Sequence, residues 1–406
     1  MVPVKFYCFA TYYKQKTGRV IMKNIFRLFI LFFCFDTAAY AANNNIFSGM
    51  PGYLVDTAHA WAGIYSEFGP GAQIATYINE ARTNDIARYL DTISILGFNN
   101  TAMALFEVSS HIDRAFDVID APLVARRGSC TANLATCEYG RRTLVVDGHV
   151  SGTFSEYRAG QNGDFKTKNT GFAINAKSYF ADGWLFGVEY TRTMTDTHDT
   201  RIYSDATGNS VTMFTQYLAR SGLFWNVGIN AGHTSWNIDK SIASISDDGT
   251  YDTNFYAGQT NFGIRMQRNR ISVTPSVAVR YLRVSADEYI DAVAQQFDQW
   301  WYNSLTASVG LDLGFDFVGS DFVVRPSLHL GGRYDVISNG TDEMRVQLID
   351  NQFYYVPIDT PHRAALDAGI GLDFFNQYFT AGLTYDFDMR SDYMSHTIMA
   401  KLKIAF

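Results

Sequence analysis

From Arg142 to Phe406 one pattern recurs: apolar residues alternate with small or polar ones, in twelve segments each long enough to cross a bilayer at a tilt. Between Leu305 and Phe317 every odd residue is apolar and every even one small or polar. The same period runs through Trp184, Phe186, Val188 and Tyr190, through Trp225, Val227, Ile229 and Ala231, and through Phe379, Ala381, Leu383, Tyr385 and Phe387. Successive side chains of a strand point to opposite faces, so each segment has one apolar face and one wet face. A soluble sandwich would show the same alternation. Connection lengths separate the two. Short turns fall at 181–183, 219–222, 267–270, 318–321 and 375–378, and longer polar loops are expected at roughly 155–168, 197–208, 239–252, 286–302 and 338–361. Only the last hairpin, near Arg390-Ser391-Asp392, breaks the alternation by being short as well. Bacterial outer-membrane barrels have this asymmetry, with short periplasmic turns and longer external loops. The expected fold is therefore all-β and transmembrane: a 12-stranded antiparallel outer-membrane β-barrel whose even strand count leaves Phe406 on the periplasmic side.

Such a barrel gives the 25 Tyr and 31 Phe a place, as interfacial girdles at the ends of the apolar face. Trp184, Tyr190, Trp225, Tyr281, Phe317, Phe322, Phe379 and Phe387 are the candidates. The opposite face collects Lys177, Glu189, Arg265, Arg280, Asp312, Asp316, Arg325, Arg333, Asp367 and Asp373. A cation turned to lipid would cost about 2–4 kcal/mol at mid-bilayer, so these charges are assigned to the lumen. Both signs are present, which favours internal ion pairs over a selectivity ring. A net charge of −7 and the lack of a basic tract argue against a nucleic-acid partner.

Ahead of the barrel, Met22 to Ala41 reads MKNIFRLFILFFCFDTAAYA: Lys23 and Arg27, an apolar core from Leu28 to Phe35, and an Ala39-Tyr40-Ala41 cleavage site. Secretion with cleavage between Ala41 and Ala42 is expected, with Met22 as the true start, because so short a core does not span the roughly 30 Å of hydrocarbon. Leu31-Phe32-Phe33-Cys34 lacks the small residues of a lipoprotein signal. Cys130 and Cys137 enclose a short polar loop in an oxidising compartment, which favours a disulfide over a metal or redox site.

Between signal and barrel the period changes to 3.6. One or two helices are expected over Ala72 to Leu96, and another after Asn100 or Thr101, where Leu105, Val108, Ile112, Ala115 or Phe116, and Ile119 share a face before Pro122. The second helix has Glu107, Ser110, His111, Asp113, Arg114 and Asp117 for a charged wall, and its apolar stripe calls for small wall positions such as Gly228, Gly310 and Gly369. Periodicity does not choose between the lumen and the mouth of the barrel; a 12-stranded barrel has room for about one helix, so the lumen is the expected location and the mouth the alternative.

With these pieces in order, the chain resembles the C-terminal translocator domain of autotransporters, the type V secretion family. The resemblance rests on Val145 to Gly152 as first strand, on the hairpin from Gly171-Phe172-Ala173-Ile174 through Asp182-Gly183-Trp184-Leu185-Phe186, on the helical stretch 71–119 followed by a Cys pair, and on terminal Phe406. It implies a Gram-negative cell outer membrane and a pore threaded by a helix. Lipid and lipopolysaccharide, the barrel-assembly machinery and periplasmic chaperones would be the partners of a monomer. Ile398, Ala400, Leu402, Ile404 and Phe406 would form the assembly signal, although Lys401 stands where relatives often have glycine. The domain reading is 1–41 signal with upstream extension, 42–70 short passenger or linker, 71–141 helical plug with the Cys pair, and 142–406 barrel. The stretch from Ala42 to about Pro70 is too short for an independently stable module.

Chemistry finds little support in the sequence. His198 with Asp196 and Asp199, and His233 near Ser235, are the catalytic candidates, but neither G-x-S-x-G nor H-E-x-x-H occurs. Asn99-Asn100 is similar to the bond some autotransporters cut, yet it lies about 40 residues before the first strand and lacks the flanking motif. The expectation is no enzyme, no cofactor and no metal: a barrel that translocates or anchors an N-terminal segment. The alternatives are a surface-interaction barrel using Gln299-Trp300-Trp301-Tyr302 and Tyr354-Tyr355, which read first as girdle residues, and a small diffusion pore.

Overall fold

A computed structural model of the chain describes residues 52–64, 70–84, 88, 92, 94–95, 101–120 and 144–405, the last span without 161–162, 182, 199–201, 243–244, 320–321, 359 and 377–378. All belong to one compact unit, Met50–Phe406. The signal sequence with Ala41 and Ala42, the pair Cys130 and Cys137, Asn99-Asn100, Asp199 and Phe406 lie outside the described residues.

Twelve long strands build the wall: β1 (Leu144–Gly160), β2 (Gly163–Ala181), β3 (Trp184–His198), β4 (Ile202–Leu218), β5 (Leu223–Ile242), β6 (Ile245–Ile264), β7 (Ile271–Ala286), β8 (Trp300–Phe315), β9 (Val323–Gly340), β10 (Ala364–Phe375), β11 (Phe379–Met389) and β12 (Tyr393–Ala405). Each pairs antiparallel with its sequence neighbour, and β1 closes on β12, with Val145 opposite Ala405 and Tyr157 opposite Tyr393. Closure satisfies every ladder without a free edge, as the hydrocarbon region demands. Along β3 burial alternates residue by residue: Phe186, Val188, Tyr190 and Met194 are exposed outward, while Glu189, Thr191, Thr193 and Thr195 are buried inward.

The turns are short at the periplasmic end, but three of the expected external loops are not loops. Residues 155–160 with 163–168, 197–198 with 202–208, and 239–242 with 245–252 continue the ladder, with Glu156 opposite Lys166, Asp196 opposite Asp205 and Asp239 opposite Asp248. Polarity on both faces marks where the strands leave the membrane, not where they end. The other two connections fold together: Tyr289–Ile290, Gln296–Phe297, Glu343–Gln347 and Phe353–Pro357 form a separate four-stranded sheet, the cap. Girdle rings sit where the alternation put them, for example Trp184 with Tyr217 at 4.8 Å and Trp225 at 6.2 Å. Trp300, Tyr302 and Tyr354 do not: all three are buried, Tyr354 inside the cap.

Three continuous helices precede the barrel among the described residues: α1 (Gly52–Ala62), α2 (Pro70–Asn84) and α3 (Thr101–Asp120). Among the described residues none is long and apolar enough to cross a membrane. α1 falls in the stretch the sequence assigns to a linker, and it packs on the cap strand Phe353–Pro357 and on α2.

Candidate functional site

α3 lies in the lumen, against β2 to β6. Its first turns are external: Phe106 stacks on Tyr393 at 4.2 Å and tilts on Tyr157 at 5.2 Å, and those two residues face each other at the outer end of β1 and β12. Residues spaced three and four apart share a helix face, and here Glu107, His111 and Arg114 meet the wall in that order. Buried Glu107 accepts from Thr193 Oγ1 at 2.9 Å, Thr195 Oγ1 at 2.5 Å and Asn169 Nδ2. His111 bridges Thr193 Oγ1 at 2.9 Å and Ser210 Oγ at 2.6 Å. Arg114 donates to Thr153 Oγ1 at 2.7 Å and to Asn169 Oδ1. Asn169 thus links the helix carboxylate to the helix guanidinium. Deeper still, Asp113 pairs with Arg280 and, at 3.3 Å, with Arg333, and Thr212 Oγ1 reaches the Ala115 carbonyl at 3.4 Å. Descending partners fix the polarity of α3, N-terminus outside and C-terminus toward the periplasm.

Gly310 and Gly369, two of the glycines the sequence nominated, do not make the space for the helix. A Cβ on Gly310 would meet Ser276 Oγ at 3.0 Å, and one on Gly369 the Tyr385 carbonyl at 3.2 Å, both atoms of the wall itself. The close approaches are at Gly208, where a Cβ would stand 3.0 Å from His111 Nδ1, and at Gly171, 3.2 Å from Arg114 Nη1. Periodicity assigns a glycine to the lumen face but not to the sector a helix leans on. Ring contacts add to the helix–wall packing, with Phe255 edge-on to His111 at 5.2 Å and the Arg280 guanidinium 5.5 Å from the Phe116 ring.

Several of the remaining inward charges are paired or hydrogen-bonded. Lys177 meets Asp147 at 2.6 Å, Asn175 reaches Glu189 at 3.1 Å, Arg325 meets Asp316 at 2.6 Å, and Arg333 meets Asp388. His329 lies between Asp312 and Asp367, at 2.7 Å from each. Arg265 directly follows β6 on the inward parity, and Asp373 faces Gly382 across the β10–β11 ladder. Leu402 and Ile404 are exposed outward, and Lys401 has the inward parity.

Above the rim, the connection 286–302 docks on the β5–β6 tip through a buried trio, Lys240 at 3.3 Å from Asp247 and 3.5 Å from Asp291. Gln295 holds Asp291 through its main-chain N and its Nε2, both at 2.7 Å, and accepts from the Tyr354 hydroxyl. The catalytic candidates lie elsewhere, on the outward face of strand extensions. His233 Nε2 is 3.3 Å from Ser235 Oγ and 3.5 Å from Asp252, and Nδ1 is 3.1 Å from Asn254 Oδ1. Main-chain N–H groups there serve an interior ladder with neighbours on both sides, so the trio lacks donors for a tetrahedral oxyanion. Asp196 accepts weakly from Tyr203 at 3.4 Å, two rungs from the β3 tip that ends in His198.

A closed barrel occupied by the helix that precedes it, N-terminus outward, defines a class: translocator barrels, whose lumen holds the segment joining barrel to exterior. The sequence matches the autotransporter β-domain over residues 148–386, and the chain belongs to that family. The fold is similar to the translocator domain of the autotransporter NalP from Neisseria meningitidis (TM-score 0.60, 13% identity, 76% of this chain and 98% of that one). It is also similar to the β domain of the Bordetella autotransporter BrkA (TM-score 0.51, 14% identity, 65% of this chain and 100% of that one). Among curated proteins no relative matches. The chain is an outer-membrane β-barrel for translocating or anchoring a passenger.

Proposed function

We propose that this barrel anchors and displays its own residues 52–84: α3 is the tether through the lumen and the cap is the dock. The observation that carries this reading is the packing of α1 and α2 at the cap, where Trp61, Ile74 and Ile78 are fully buried and a Cβ on Gly71 would stand 3.4 Å from the Val293 carbonyl and from Ile349 Cδ1. The reading includes a signal cleaved between Ala41 and Ala42, a Cys130–Cys137 disulfide bracing the approach to β1, and a Gram-negative envelope. Lipopolysaccharide, the assembly machinery and periplasmic chaperones are the proposed partners of a monomer, and no enzymatic step is assigned to the barrel. A second reading, surface interaction through the cap, is favoured by the exposed apolar side chains Ile290, Phe353 and Tyr355. Planar-bilayer recording tests the tether: the intact protein conducts little, and deletion of residues 52–120 raises conductance several-fold. Equal conductance of the two forms sinks the proposal.

A further inference from the structure

α3 does not fill the lumen. It leans on β2 to β6, where the inward residues Glu189, Thr191, Thr193, Thr212 and Thr234 are fully buried, and crosses to the far wall through Asp113 at Arg333 on β9 and, at the outer end, through Phe106 at Tyr393 on β12. On the opposite wall the inward charges are wet: side chains of Asp312, His329 and Asp367 are 49%, 38% and 27% exposed, although a barrel interior lies behind them. The inward positions Asp373, Thr380 and Lys401, lower on β10 to β12, are also partly exposed, so the wet sector continues toward the periplasmic end. Toward the outside it stops. Tyr302 and Ser304 on β8, Asp335 on β9, Ala365 on β10 and Ser395 on β12 are all buried.

At that level Arg390, on the short β11–β12 hairpin, reaches across to Asp335 at 3.1 Å and to the His362 carbonyl at 2.5 Å, and the two charged side chains are 9% and 5% exposed. Thr306 donates to Asp335 at 2.5 Å, Tyr302 meets Ser338 at 3.1 Å, and the Asp335 main-chain N donates to the Arg363 carbonyl at 2.9 Å. The unusually short final hairpin thereby brings a cation into the mouth where every other external connection is tall or folded into the cap. From this arrangement we infer that Arg390 and Asp335 form a side-chain latch that seals the half of the lumen α3 leaves open, beneath which lies a water-filled, acid-lined vestibule facing the periplasm.

The inference rests on the occupied-lumen reading and adds a second, separable barrier to it. A buried ion pair that loses one partner leaves an uncompensated charge, which draws water into the site. The experiment is conductance of the full chain carrying Arg390→Ala, Asp335→Ala or both, with the gel shift between unheated and boiled samples as the folding control. Each single variant raises conductance several-fold with α3 in place, and the double variant adds little beyond either. Folded variants that conduct like the parent overturn the latch. A second measurement does not depend on those variants folding: Asp312→Cys, in a Cys130→Ser/Cys137→Ser background, is exposed to a membrane-impermeant maleimide from each side. Labelling from the periplasmic side alone supports the vestibule; labelling from outside at the same rate, or from neither side, overturns it. If deletion of α3 leaves conductance unchanged while the latch variants raise it, the tether reading fails and the latch stands.

Discussion

At the scale of single residues the lumen is an exercise in satisfying buried charge. Glu107 and Arg114 are held by Asn169 and a set of threonines, donors and acceptors that cost little volume inside a barrel. Removing one member leaves the others stranded. Glu107→Ala leaves Arg114 without its nearby countercharge and Asn169, Thr193 and Thr195 without an acceptor, at a cost of about 3–5 kcal/mol. The gel shift between unheated and boiled protein should therefore be lost at a lower temperature, and Glu107→Gln, which keeps an acceptor oxygen, should fall between. No change in that temperature would mean that the helix is not held by this network. Alternation told that Lys177, Glu189 and Arg333 point inward, because parity alone decides a face. It could not tell that Asn169, Gly208 and Ser210 receive the helix, because depth and sector depend on the tilt and register of the whole barrel.

At the scale of elements, strands were legible and connections were not. Three polar strand extensions and a capping sheet have the same composition as solvent loops, and only long-range pairing distinguishes them. The cap carries a titration of its own. Burial, with the Asp247 carboxylate adding to it and Lys240 opposing, raises Asp291 from 3.8 to about 7. Tyr289, Tyr251 and Tyr354 surround the same pocket. The docked connection thus holds a proton that the undocked one has released between those values, so docking is fully stabilised below about pH 4 and loses that stabilisation as pH rises through about 7. Limited proteolysis within 286–302 should be several-fold faster at pH 8 than at pH 5, and Asp291→Asn should flatten the difference. Equal rates at both values in the parent protein would exclude the effect.

At the scale of the molecule two independent directions agree. Strand parity puts the first residue of β1 and the last of β12 at one end, with the cap and the β11–β12 hairpin at the other. The helix polarity, set by Phe106 at Tyr393 above and by Asp113 at Arg280 and Arg333 below, runs from the cap end toward the end at which β1 starts. Residues 52–84 must then be outside the cell whenever the periplasmic turns are inside, because α3 connects them through the pore. Cysteine substitutions report this arrangement at exposed positions that carry no packing. Gln73→Cys on α2 should react with an impermeant maleimide on intact cells, whereas Ser221→Cys, in the short turn between β4 and β5, should react only after the outer membrane is permeabilised. A Gln73→Cys site that stays protected until permeabilisation would place the helices in the periplasm and reverse the threading of the chain.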